Sequence, residues 1–133
     1  ALLHGHSYSG NALGCASALA NLELLDKPET INQIENLENL NRQFKEKLEK
    51  SNHYLKTIKE VRHQGTVIAI ELKTDEKSGY FNQAAKKIGQ YFLKENILMR
   101  PLGNVLYLVP PYCSSADEIK CTFNCIEDFL EIL

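Results

Sequence analysis

Gly65-Thr66-Val67-Ile68-Ala69-Ile70-Glu71-Leu72 is the stretch from which the fold class can be read. Upstream of about Ile58 apolar residues recur every three or four positions, whereas here they alternate. Val67, Ala69 and Glu71 fall on one side of a strand and Ile68, Ile70 and Leu72 on the other, with Gly65 just ahead as a bend or close approach.

Working towards the N-terminus, Ile31, Ile34, Leu37, Leu40, Phe44 and Leu48 mark an amphipathic helix whose other side carries Glu35, Glu38, Arg42 and Lys45. Pro28 separates it, near Asp26, from an earlier helix that begins at Asn11. That earlier helix is rich in alanine and leucine on most sides, which predicts burial on several faces. Towards the C-terminus, Thr74 to Gly79 reads as a polar turn, and Phe81, Ala84, Ile88 and Phe92 as the inner side of a third helix capped near Asn96. Ile97 to Arg100 and Val105 to Val109 read as two short strands of a hairpin, joined by Pro101-Leu102-Gly103-Asn104 and stopped by Pro110-Pro111. Ser115-Ala116-Asp117-Glu118 is a capping box that opens a last helix burying Ile119, Phe123 and Ile126. The order predicts an α+β fold, a two-layer sandwich in which a small, mostly antiparallel sheet carries helices on one face.

Composition excludes whole classes of function. A chain of 133 residues, 44% hydrophobic and 24% charged, has the make-up of one globular domain rather than a disordered or fibrous chain. Its net charge of −2 offers no basic surplus for nucleic acid, and its most apolar stretch, Leu13 to Leu25, is too short to span a bilayer. Cys15, Cys113, Cys121 and Cys125 show no Cys-x-x-Cys spacing and read as reduced, packed thiols of a cytoplasmic protein. The chain opens without methionine, almost directly into a glycine-rich turn, and reads as a piece of a longer protein.

Three clusters could carry chemistry. His4-Gly5-His6-Ser7-Tyr8-Ser9-Gly10-Asn11 runs into a helix, where amide N–H groups and a hydroxyl suit a phosphate or carboxylate, although capping alone also explains serine and glycine there. His4 and His6 have no third ligand in sight, so no metal site is expected. Arg100, one of three arginines, lies at a strand end beside a tight turn, where its planar fork could hold a carboxylate bidentately. The alternative is a surface arginine paired to a glutamate of a neighbouring helix. Arg62-His63-Gln64-Gly65 is explained by a turn serving the sheet. No phosphate loop of the Gly-x-x-x-x-Gly-Lys type and no Ser, His and Asp set is present, so the residues offer binding elements without a reaction centre.

The run His4 to Ala16 is similar to His-Gly-x-Thr-(Phe or Tyr)-x-Gly-Asn-Pro-Leu-x-Cys-Ala, and Arg62 to Leu72 to a Val-Arg-x-x-Gly strand ending in Glu-Leu. Arg100 to Tyr112 is similar to Arg-Pro-x-Gly-x-x-x-Tyr-x-x-Pro-Pro-Tyr. Together these runs resemble the class III aminotransferases, which use pyridoxal phosphate, and the last resembles the branch acting in biotin synthesis. The resemblance implies the C-terminal part of fold type I, with residues 1–27 the phosphate-loop segment and connecting helix of the large domain and 28–133 the C-terminal small domain. It implies that Ser7, with His6 beside it, binds the cofactor phosphate, and that Gly5 lines the substrate pocket. Arg100 would hold a substrate carboxylate, with Tyr107 near that pocket. His6 and Ala12 stand where proline is usual, while Ser7 keeps the hydroxyl.

The implied enzyme moves an amino group from S-adenosylmethionine to 8-amino-7-oxononanoate, giving 7,8-diaminononanoate. It is a cytoplasmic homodimer whose phosphate loop serves the neighbouring subunit, with small-molecule substrates and neither nucleic acid nor membrane as partner. The Schiff-base lysine of the family lies upstream of these runs, so the piece holds no catalytic residue and is expected to be inactive alone. The rival readings are another class III ω-amino-acid aminotransferase, a free-standing α+β binding module, and a structural dimerisation domain.

Overall fold

The computed structural model describes residues 5, 9–74 and 84–133. Phe81 and most of the polar turn expected at Thr74 to Gly79 lie outside the described residues. The chain divides into two compact units, Ala1–Asn32 and Gln33–Leu133.

In the first unit, Gly10 adopts φ 72° and Asn11 caps helix α1 (Ala12–Leu25), its Oδ1 accepting from the Leu13 amide at 3.0 Å. The break predicted near Asp26 is there: α1 ends at Leu25, and α2 (Pro28–Glu49) begins on its proline. The expected burial of α1 is not. None of its residues is buried, and Leu13 is 79% and Leu19 63% exposed. The apolar groups are spread around the whole helix, and the described residues of this unit supply no second layer to cover them.

The second unit is a three-stranded antiparallel sheet in the order β1-β2-β3, formed by β1 (Ile58–Gln64), β2 (Val67–Leu72) and β3 (Val105–Leu108). Its helices are the remainder of α2, the short α3 (Asn52–Lys56), α4 (Ala84–Lys94) and α5 (Ala116–Glu131). Ile68 and Ile70 of β2 and Leu106 of β3 join Leu37, Phe44 and Leu48 of α2, Ile88 and Phe92 of α4, and Phe123 and Ile126 of α5 in one core. This is the predicted α+β arrangement of a small sheet packed against helices.

Two strand assignments need correction. β1 carries no strand signal in the sequence, because Ile58-Lys59-Glu60-Val61-Arg62-His63-Gln64 buries only Ile58 and Val61 and has no clean alternation. It forms a hairpin with β2 across Gly65-Thr66, and Gly65 has the positive φ, 54°, that such a short loop demands. The hairpin expected between Ile97–Arg100 and β3 does not form. Ile97–Arg100 is not a strand, and β3 pairs with β2 instead, Ile70 facing Leu106 and Ala69 facing Tyr107. Pro101 has no amide to donate, and the turn closes on itself through an isolated bridge between Leu102 and Val105.

Candidate substrate-binding site

Arg100 stands between two anchors. Ahead of it, α4 ends in a Schellman motif: Asn96 takes φ 60°, the Ile97 amide donates to the Phe92 carbonyl at 2.8 Å, and the Asn96 amide to Leu93 at 3.2 Å. Met99 then drops into the core, 7% exposed. Behind it, the amides of Leu102 and Val105 each donate to the other's carbonyl, at 2.9 and 3.0 Å. Within this turn Asn104 is wholly buried, which its place between Gly103 and Val105 in the sequence does not reveal.

β3 carries Tyr107, half-buried, to the same place. Arg100 and Tyr107 line one cavity of about 400 Å³, whose other walls include Ile97, Leu98, Val109 and Pro110, with Glu118 and Ile119 of α5 across from them. Among the described residues Arg100 makes no hydrogen bond or ion pair. The other arginines do: Arg42 donates to Asn39 Oδ1, and Arg62 to Glu60 at 2.6 Å and to the buried Glu71 at 3.5 Å.

The glutamate that shares the cavity is already engaged. Glu118 accepts from the Ser115 amide at 2.7 Å and its hydroxyl at 2.8 Å. The amide bond above all, then the hydroxyl, holds the Glu118 carboxyl below its ordinary pKa. Among the described residues Arg100 is not paired to a helix glutamate, the alternative that the sequence allowed. An exposed guanidinium with free donors, at a mouth walled by aliphatic side chains and proline, suits a carboxylate at the end of an apolar chain.

The other predicted positions belong to the first unit or to the hairpin. Gly5 is exposed in the first unit, with nothing within 4 Å of where a Cβ would stand. His6 and Ser7 lie outside the described residues, as does His4. Arg62 and Gln64 serve the hairpin as expected, while His63 has its Nε2 buried without a hydrogen-bond partner, 4.0 Å from Glu38. The four cysteines are free, but not packed as predicted: Cys15, Cys113 and Cys121 are exposed, and only Cys125 is partly covered. No cluster of three metal-ligating side chains occurs among the described residues, and no helix among them is long and apolar enough to cross a membrane.

The profile of the family Aminotransferase class-III matches residues 1–130. An adenosylmethionine-8-amino-7-oxononanoate aminotransferase from Synechococcus elongatus is 38% identical over 128 residues, covering 96% of this chain and 28% of its own length. One from Methanocaldococcus jannaschii is 38% identical over 122 residues, covering 89% of this chain and 26% of its own length. The crystal structure of the Methanocaldococcus jannaschii enzyme superposes with a TM-score of 0.75 at 34% identity, over 96% of this chain and 30% of that one. The chain thus spans under a third of the length of the relatives it matches.

Proposed function

Since the chain belongs to the class-III aminotransferase family, we propose that it is the C-terminal part of a pyridoxal-phosphate aminotransferase of biotin biosynthesis. The enzyme transfers an amino group from S-adenosylmethionine to 8-amino-7-oxononanoate, giving 7,8-diaminononanoate. The observation that carries this reading is Arg100, which makes no hydrogen bond or ion pair among the described residues and lies beside Tyr107 in a cavity lined largely by aliphatic side chains and proline. The proposed substrate matches it: a carboxylate on an aliphatic chain, with the reacting ketone remote from the charge.

Residues 1–27 would then be the phosphate-loop segment and connecting helix, and 28–133 the small domain. Arg100 binds the carboxylate through its fork of N–H donors and fixes how deep the chain lies, while Tyr107 closes the pocket beside it. Gly5 would line the substrate pocket of the intact enzyme. Pyridoxal phosphate, when bound, supplies the electron sink for amino-group transfer. The donor set fits its phosphate: Ser7 brings a hydroxyl and an amide, His6 a second donor, and Gly10, at φ 72°, turns the loop into α1. The enzyme acts as a cytoplasmic homodimer in which this loop serves the neighbouring subunit, and the lysine that holds the cofactor lies in the large domain.

Arg100→Ala in the intact enzyme tests this. Losing a charge-assisted carboxylate contact worth about 1.5–3 kcal/mol predicts a fall of about ten- to a hundredfold in kcat/KM for 8-amino-7-oxononanoate. Cofactor affinity and the half-reaction with S-adenosylmethionine should be retained. Equal loss of cofactor binding and of both half-reactions would count against the assignment.

A further inference from the structure

Asn104 is 0% exposed, yet polar, and a side chain of this kind in a core is held there by its hydrogen bonds. Its Nδ2 donates to the Leu72 carbonyl at 2.7 Å, and its own carbonyl accepts from the Leu72 amide at 2.9 Å. Both bonds fall on the last residue of β2, one position past Glu71 and Val105, where the ladder between β2 and β3 stops. One residue therefore fastens the end of the turn to the central strand of the sheet by side chain and main chain at once.

Between this fastening and Arg100 little is left free. Gly103 sits at φ 61°, the turn is closed by the two bonds between Leu102 and Val105, and Pro101 has its φ locked by its ring. On the other side Met99 is buried. Among the described residues Arg100 makes no bond that would orient it, so the place of its side chain is set by its backbone. We infer that Asn104 is a positioning residue for carboxylate binding, acting through Arg100 by pinning the Arg100–Asn104 turn to the end of β2. This inference rests on the reading of Arg100 given above.

The test is a double-mutant cycle in the holoenzyme, with Asn104→Ala, Arg100→Ala and both together. The readouts are KM and kcat for 8-amino-7-oxononanoate and, separately, the single-turnover half-reaction with S-adenosylmethionine. Asn104→Ala is expected to raise KM for the keto acid about tenfold, inside the about hundredfold that a displacement of 1 Å can cost. The amine half-reaction per folded active site should be unchanged. In the Arg100→Ala background Asn104→Ala should add nothing further to KM, since it acts through the missing side chain. Asn104→Ser, which keeps a short donor, should show a smaller rise and carries the same test if the alanine variant gives no holoenzyme.

A purely structural asparagine would lower both half-reactions in proportion to the folded fraction and leave KM alone; that result overturns the proposal, as does failure of both Asn104 variants to fold. If Arg100→Ala itself leaves KM unmoved, the reading of Arg100 falls first. If Arg100→Ala raises KM and Asn104→Ala does not, only the role of Asn104 is lost.

Discussion

Phe44 of α2 and Phe123 of α5 stack with ring centroids 4.0 Å apart and planes 9° from parallel, and they are 4% and 6% exposed. Truncating a buried phenylalanine to alanine costs about 3–5 kcal/mol in lost transfer energy and cavity formation. This pair borders a surface groove of about 180 Å³ flanked by Lys47 and Glu127, so water and the lysine stem can fill part of the space. That places Phe44→Ala at the lower end, about 3 kcal/mol. For a domain whose total stability is about 5–15 kcal/mol, such a loss leaves a folded but marginal protein. At about 4–8 °C per kcal/mol the melting temperature should fall by some 12 °C or more. Once one ring is gone the other has lost its stacking partner, so Phe44→Ala and Phe123→Ala should be non-additive by about 1 kcal/mol. Urea titration followed by circular dichroism, with the slope checked for constancy, reads both quantities. A loss below about 1 kcal/mol, or additivity within about 0.3 kcal/mol, would refute the claim that this stack ties α2 to α5.

Further outcomes follow from local features. Ser115→Ala removes the hydroxyl half of the α5 capping box, leaving the bond from the residue 115 amide to Glu118, and should cost about 1 kcal/mol, read as a lower urea midpoint. Because the Ser115 bonds lower the Glu118 pKa, their stabilisation is present above the ordinary glutamate range and is lost as pH falls through the depressed folded value. Ser115→Ala keeps the amide bond and loses only the hydroxyl's share of this effect, so the gap between wild type and variant should narrow, without closing, in acid; a pH-independent gap would disprove the hydroxyl's part in it. Asn96→Gly should be tolerated at φ 60°, whereas Asn96→Val should lose about 1–2 kcal/mol; equal melting temperatures for the two would contradict the left-handed cap. With a thiol reagent, Cys15, Cys113 and Cys121 should react quickly, and Cys125 slowly, because burial and then the neighbouring Cys121 push its thiol pKa up. Four equal rates would speak against that environment.

What could be read from the chain was what neighbouring residues decide among themselves. The capping box at Ser115, the left-handed Asn96 and the break before Pro28 each depend on a few positions, and each is found as expected. Strand pairing depends on residues far apart. Val105–Leu108 could face either Ile97–Arg100 or the remote β2, and local sequence favoured the wrong partner. β1 went unread because an edge strand with Lys59, Glu60 and Arg62 turned outward carries little apolar signal. In the site, Arg100 was visible as a residue type at a turn, but its lack of a partner among the described residues was not, since that depends on which groups of remote α5 face it. Asn104 looked like an ordinary turn residue because its bond runs to Leu72, 32 positions away.

The pairing of α2 with α5 also bears on synthesis. Lys47 and Glu127, which bridge these helices, are 80 residues apart. At about 5–20 residues per second, a ribosome needs about 4–16 s to make the intervening chain. Through that interval Leu37, Phe44 and Leu48 have no α5 to cover them. Until α5 has left the exit tunnel, the nascent chain therefore exposes an apolar helix face of the kind that chaperones shield.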